Sequence, residues 1–323
     1  MSSSLGRKAF FVNMFLNAHP SVAFNFERWT TEQRQAVESA LAQWVAHPTQ
    51  SPAPAGLGEA MRYAVLGGGK RLRPLLTLAA CEAVNGNAAA AMRAACALEL
   101  IHAYSLVHDD MPCMDNDSLR RGKPTVHFQF GQAQALLAGD ALQALAFELL
   151  TPDDDAISSA LQARLCAMLA RAAGYQGMAG GQAIDLASVG LPLNADQLHE
   201  MHRLKTGALL QASVLMGASC GGPSASVTAA LGDYGAAIGL AFQVMDDVLD
   251  VTSDSATLGK TAGKDAAQDK PTFVSLMGLS GSRAYAQQLL ARALGNLDSL
   301  ESQSPQAAHA LRALADMLVN RQH

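Results

Sequence analysis

The chain reads as a series of long Ala- and Leu-rich runs separated by short breaks that contain Gly, Pro or Asp. Between Thr31 and His47, the apolar residues Ala36, Val37, Ala40, Leu41, Trp44 and Val45 recur at helical spacing, with Thr30 or Thr31 as the cap. The Pro-rich break HPTQSPAPAG follows, then a helix over GLGEAMRYAVLG. The turn GGGKRLRP leads into PLLTLAACEAVNG, with Pro near the helix start and Asn-Gly at its end. Further helices are predicted over AMRAACALELIHAYSLVHDD, GDALQALAFELL, SSALQARLCAMLARAAG, NADQLHEMHRLKTGALLQASVLMGA and LGDYGAAIGLAFQVMDDVLDV, with two more near the C-terminus. No segment repeats, and no break resembles a flexible linker. The expected fold class is all-α, a bundle of about ten helices forming one domain over residues 26–323. Residues 1–25 are expected to be a poorly ordered extension.

Composition supports that reading. Hydrophobic residues make up 50% of the 323 positions and aromatics only 5%, with Ala abundant and β-branched residues sparse. The net charge is -5, so the basic excess of a nucleic-acid binder is absent. Positive charge is instead local, at Lys70–Arg73 and Arg120–Lys123, which suits a small anionic ligand. The five cysteines form no CxxC pair and read as free thiols of a reducing compartment, the cytoplasm. No unbroken apolar run approaches the roughly 18 residues of a transmembrane helix. The first residues are basic and Ser-rich, but their apolar stretch is short and interrupted by Asn, a poor secretory signal.

Two aspartate clusters carry the chemistry, DDMPCMD from Asp109 and DDVLD from Asp246. Asp109 and Asp110 end an apolar helix, where the dipole disfavours negative charge unless a cation offsets it. Oxygen donors suit Mg2+. Pro112 breaks the helix and lets Asp115 and Asp117 fold back. His102, Ser105 and Asp109 lie at i, i+3 and i+7 on one face; Gln243, Asp246 and Asp250 repeat that spacing, with Asp247 alongside. A solvated acidic loop is the plain alternative for the first cluster alone, and a core histidine the plain alternative for His102. Two such faces among large apolar residues would repel each other in a low-dielectric cavity, and bound cations with a polyanionic ligand relieve that. GGGKRLRP adds backbone amides with Lys70, Arg71 and Arg73, without the Walker pattern. Arg120 and Arg121 offer bidentate forks. Lys205 and Thr206 interrupt an apolar helix, where a cation needs a partner. Lys260, Lys264 and Lys270 follow the second cluster in a Gly-containing loop.

These stretches, together with LAGDALQALAFE, GMAGGQAIDL, HRLKTGALLQAS, IGLAFQVMDDVLD and TLGKTAGKD, resemble the trans-polyprenyl diphosphate synthase family, most closely its bacterial farnesyl diphosphate synthases. The resemblance covers the chain from about Phe26 onward. It implies antiparallel helices around a deep cavity, usually in a homodimer. It implies that Asp109, Asp110, Asp115, Asp246, Asp247 and Asp250 hold three Mg2+ ions on an allylic diphosphate, dimethylallyl or geranyl. It assigns Arg120, Lys205, Thr206, Gln243, Lys260 and Lys270 to that substrate. Lys70, Arg73, His102 and Arg121 are assigned to isopentenyl diphosphate, and Gln182 and Asp185 to the cavity wall. The implied reaction is ionisation, condensation and elimination, with the cation near Lys205, Thr206 and Gln243. Tyr104, five residues before Asp109, would act as a floor that stops the product at fifteen carbons, with small Ser105 beside it. A geranylgeranyl synthase is the nearest alternative. Terpene cyclases usually lack the second DDxxD, and non-catalytic subunits typically lose one motif.

Overall fold

The computed structural model describes residues 24–50, 52–153, 157–191, 193–252, 272–301 and 308–320. The described residues are overwhelmingly helical, as the runs predict. The helices are α1 (Phe26–Trp44), α2 (Leu57–Val65), α3 (Leu72–Ala83), α4 (Ala88–Asp109), α5 (Val126–Phe130), α6 (Gln132–Leu150), α7 (Ser159–Ala173), α8 (Met178–Ala187), α9 (Ala195–His202), α10 (Ala208–Ser219), α11 (Ala225–Thr252), α12 (Phe273–Glu301) and α13 (His309–Val319). A π-helical segment, Arg203–Gly207, joins α9 to α10, and a small antiparallel hairpin pairs β1 (Leu119–Arg120) with β2 (Lys123–Pro124). α12 is kinked at Gly278, whose φ is 72°. Residues 1–23 and the lysines Lys260, Lys264 and Lys270 lie outside the described residues.

Several boundaries differ from the expected ones for local reasons. α1 begins at Phe26, because the Asn25 side chain accepts from Arg28 N at 2.9 Å and caps the helix. Thr30 and Thr31 are inside the helix, their hydroxyls donating back to Phe26 O and Glu27 O. The run predicted as a single helix from Asn194 onward is divided by the π segment. α5, α8 and the hairpin were hidden in short or Gly-rich stretches. α8, within GMAGGQAIDL, has two adjacent glycines that weaken its helical signal.

Two apolar clusters fill the bundle. One joins α1, α2, α4, α6 and α7; the other joins α9, α11, α12 and α13. α3 and α10 separate them and feed both: Leu78 and Met216 face the first cluster, Leu75 and Val214 the second. Most residues of both helices are buried, which fits elements packed on two faces. α4, α6 and α11 are long and apolar enough by length and composition to cross a membrane, at mean hydropathy 1.2, although no run is unbroken. In α4, 72% of that window is buried inside the protein.

Candidate active site

The first aspartate segment is built by the end of α4. After Pro112 the chain turns back, so that Asp115 N donates to Asp109 O at 2.8 Å and Asp117 N to Asp110 O at 3.1 Å. The expected return of the later aspartates is therefore present in the backbone. Asp109 accepts from Gln182 Nε2 of α8 at 2.8 Å. Asp110 is buried, and Arg120 grips it with Nε at 2.9 Å from both oxygens and Nη2 at 2.5 Å. Burial pushes both carboxyls above the ordinary range, against the pull of Lys205 and Gln182 on Asp109 and of Arg120 on Asp110. Arg120 leaves β1. Arg121 and Gly122 form the two-residue turn, both left-handed at φ 53° and 73°, a geometry that matches hairpin twist. The turn sends Arg121 the other way, where Nη1 donates to Gly68 O at 2.6 Å.

The second segment is reached through the π segment. Lys205 Nζ lies 2.5 Å from Asp185 Oδ2 of α8. Burial alone would lower the Lys205 ammonium's pKa, but Asp185 and Asp109 outweigh it and raise it. The partner expected for a cation in an apolar helix is thus Asp185. Thr206 Oγ1 donates to Gln243 Oε1 at 3.1 Å, and Gln243 Nε2 donates to Asp247 Oδ1 at 3.0 Å. The other Asp247 oxygen accepts from Phe273 N, at the start of α12, at 2.8 Å. A continuous polar line therefore runs from Thr206 through Gln243 and Asp247 to α12. π segments add a residue to one helical turn and disturb the regular ladder there. Close approach of α8 depends on Gly181, where a Cβ would fall 2.1 Å from Lys205 N.

The basic residues divide. Lys70 is exposed, and Arg73 is half-buried in the first turn of α3. Burial, then Arg121, push Arg73's pKa down to about 10, opposed by Glu99 and Asp246. His102 is held well below its usual range, first by burial and then by Arg73, Arg121, Arg120 and Arg71. Arg71, expected as a diphosphate donor, turns inward instead. Its guanidinium binds Glu38 at 2.7 Å and Glu99 at 2.6 Å, because a buried arginine needs carboxylates more than a distant ligand. Ser105, on the same α4 face as His102 and Asp109, is buried and donates to His102 O at 2.9 Å. Tyr104 is half-buried and meets His108 edge to face, with centroids 5.7 Å apart at 76°. Burial pushes its hydroxyl up, Gln143 pulls it down and Asp109 adds to the rise. A cleft of about 500 Å³, including open solvent, lies beside the Asp110–Arg120 pair and is lined by Tyr63, Leu106, Arg121 and Lys123. Its lining does not include Asp109, Asp246 or Tyr104.

Among the described residues, no three His, Cys, Asp or Glu side chains converge into a self-contained metal cage. The two aspartate segments offer carboxylate oxygens but, among the described residues, no complete ligand set. Mg2+ commonly binds through one or two carboxylates plus substrate phosphates, and oxygen donors whose negative charge burial penalises fit that pattern, since a cation would offset the penalty.

The sequence profile described as Polyprenyl synthetase matches residues 54–311, most of the chain. The chain belongs to the polyprenyl synthetase family. It is 45% identical over 276 residues to the farnesyl diphosphate synthase of Geobacillus stearothermophilus, covering 84% of this chain and 92% of that one. It is also 45% identical over 306 residues to the large subunit 1 of the heterodimeric geranylgeranyl pyrophosphate synthase of Arabidopsis thaliana, covering 93% and 81%. Among solved structures, a Helicobacter pylori geranyltransferase complexed with magnesium and isoprenyl diphosphate superposes with a TM-score of 0.81 at 36% identity, covering 94% of this chain and 100% of that one. An FPP/GFPP synthase from Zymomonas mobilis superposes with a TM-score of 0.80 at 41% identity, covering 91% and 98%. This polyprenyl synthetase is a trans-prenyl diphosphate synthase with the isoprenoid synthase fold. Its sequence did not reveal Glu38 and Glu99 as partners of Arg71, or the Phe273 amide as a partner of Asp247. Glu99 carried a usable signal, since it is an acid inside an apolar helix and, like Lys205, calls for a buried partner of opposite charge.

Proposed function

We propose that this polyprenyl synthetase is a farnesyl diphosphate synthase, condensing isopentenyl diphosphate with dimethylallyl and then geranyl diphosphate. The observation that carries the reading is Tyr104. Its half-buried ring, five residues or about 7.5 Å of helix before Asp109, is braced edge to face by His108, and this supports the reading of Tyr104 as a floor for the growing chain. Bound Mg2+, three ions with diphosphate present, supplies Lewis-acid stabilisation of the leaving diphosphate. Asp109, Asp110, Asp115, Asp246, Asp247 and Asp250 would hold the metal, with Arg120 at present paired to Asp110. Arg120, Lys205, Lys260 and Lys270 bind the allylic diphosphate. Lys70, Arg73, His102 and Arg121 bind isopentenyl diphosphate. Gln243, steadied by Thr206 and Asp247, turns its amide oxygen dipole toward the allylic cation, with the Thr206 and Lys205 backbone beside it. The released diphosphate takes the final proton, so no protein side chain serves as general base.

The active form is a homodimer acting in the cytoplasm, with residues 26–323 as one catalytic domain and no nucleic-acid partner. Phe128, Leu136 and Leu137, 63%, 47% and 53% exposed on α5 and α6, support the dimer, as an apolar surface for a second copy. The five free cysteines support the compartment. The test is incubation with Mg2+, isopentenyl diphosphate and either dimethylallyl or geranyl diphosphate, followed by measurement of product length. A fifteen-carbon product is expected; a twenty-carbon product assigns geranylgeranyl synthesis instead.

A further inference from the structure

Three cations fall within four residues, Lys70, Arg71 and Arg73, and the structure gives the middle one a different task. Arg71 is left-handed at φ 48°, a conformation that non-glycine residues keep only when their surroundings hold them there. Its side chain is 2% exposed, and each part of its fork is used. Nε donates to Glu38 Oε1 of α1 at 2.7 Å, Nη1 to Glu99 Oε1 of α4 at 2.6 Å and Nη2 to Val65 O at the end of α2 at 2.6 Å. One guanidinium thus ties three helices to the residue that sits between Lys70 and Arg73. From the other side, the Arg121 guanidinium rests on the same loop, donating to Gly68 O, with Nη1 2.7 Å from where a Cβ on Gly69 would fall. Arg73 Nε is buried without a hydrogen-bond partner, a donor left over for a ligand.

We infer that Glu99, through its ion pair with Arg71, is a positioning residue for the isopentenyl diphosphate site. It touches no ligand. It holds Arg71 inward, and the left-handed turn that this fixes sets the direction in which Lys70 and Arg73 leave the backbone. The inference rests on the reading of Lys70, Arg73, His102 and Arg121 as that site.

Two effects of Glu99 on an anion pull in opposite directions, and this makes the inference testable. Glu99 is in electrostatic contact with Arg73 and Arg121. If it acted only as their counter-charge, neutralising it would make the site more positive and bind diphosphate more tightly. If it positions the loop, neutralising it lets Arg71 relax and weakens binding. The experiment is steady-state kinetics of Glu99→Gln with Mg2+ and both substrates varied in turn. The expected result is a KM for isopentenyl diphosphate raised about tenfold or more, with the allylic KM within about twofold of the wild type. Glu38 still pairs with the buried guanidinium in this variant and should preserve the fold, checked by circular dichroism and melting. Should Glu99→Gln fail to fold, Glu38→Gln, at a half-exposed partner, is expected to give a smaller rise of the same sign. Arg71→Lys, which keeps the charge but not the fork, is expected to raise the same KM. An unchanged or lower KM for isopentenyl diphosphate in a folded Glu99→Gln overturns the inference. Lys70→Ala and Arg73→Ala test the underlying site separately. If they raise that KM while Glu99→Gln does not, only the positioning role is lost; if they leave it unchanged, the site itself is wrong and the inference falls with it.

Discussion

The approach of α8 to the π segment gives a prediction whose size can be worked out. A Cβ on Gly181 would lie 2.1 Å from Lys205 N, 2.4 Å from its Cα and 2.7 Å from its Cβ. None of these is the free end of a flexible side chain, so Gly181→Ala must push α8 and the π segment apart by roughly 1 Å or more to restore ordinary contact. Two site contacts involve α8 at that crossing, Lys205 Nζ to Asp185 Oδ2 at 2.5 Å and Gln182 Nε2 to Asp109 Oδ1 at 2.8 Å. Both would stretch to or beyond hydrogen-bond range. Overpacking costs about 1–3 kcal/mol, and alanine returns about 1 kcal/mol of helix propensity, so the net loss of stability is about 2 kcal/mol or less. A displacement of about 1 Å at a catalytic constellation, by contrast, can cost about 100-fold in rate. The expected outcome is a kcat down by about 100-fold with a melting temperature only a few degrees lower. Gly295→Ala is the control: nothing lies within 4 Å of its Cβ, so activity should hold and stability rise by about 0.5–1 kcal/mol. Turnover of radiolabelled isopentenyl diphosphate, measured beside thermal melts, provides the assay. A Gly181→Ala enzyme that turns over within about threefold of the wild type would refute the argument from close approach.

Tyr104→Ala is expected to lengthen the product beyond fifteen carbons, read by chromatography of the dephosphorylated alcohols; an unchanged spectrum removes the floor. Asp109→Ala and Asp246→Ala should each abolish turnover while circular dichroism stays helical, and near-normal turnover in either would remove it from the metal site. His202 is buried with neither ring nitrogen hydrogen-bonded, and burial, then Lys205, push its pKa down to about 4 against the pull of Asp185. Because the folded value lies below the ordinary 6.5, the unfolded chain takes up the proton first. Stability is therefore full above about pH 6.5 and lost as pH falls toward 4, by up to roughly 3 kcal/mol at the low end. Melting temperatures from pH 7.5 to 5 should fall less steeply in His202→Phe than in the wild type, and parallel curves would contradict the assignment.

The helices and both aspartate segments were legible because their signals are local. Apolar spacing marks a helix, and Pro112 marks where α4 must end and fold back. Lys205 was legible as a cation needing a partner, but not the identity of Asp185 as that partner, which is set by how α8 crosses the π segment. Arg71 shows the limit most plainly. Beside Lys70 and Arg73 it reads as a third phosphate donor, and only the packing of α1, α2 and α4 turns it inward onto Glu38 and Glu99. α8 itself was obscured because the glycines that allow its close approach are the residues that weaken a helical pattern.

The π segment also determines how the helix on either side of it can mesh with its neighbours. An α-helix turns about 100° per residue, so one extra residue puts the two halves of a helix out of phase by that much. α9 sets Leu198 and Met201 into the second cluster, while α10 turns one row toward each cluster. The two halves behave as cogs keyed differently on one shaft, and Arg203–Gly207 is the offset that lets both engage. Forcing the same residues into an unbroken α-helix would restore the ladder, yet would swing α10 about a quarter turn against α3. Lys205 and Thr206 thus occupy the place along the shaft where the backbone is already out of step.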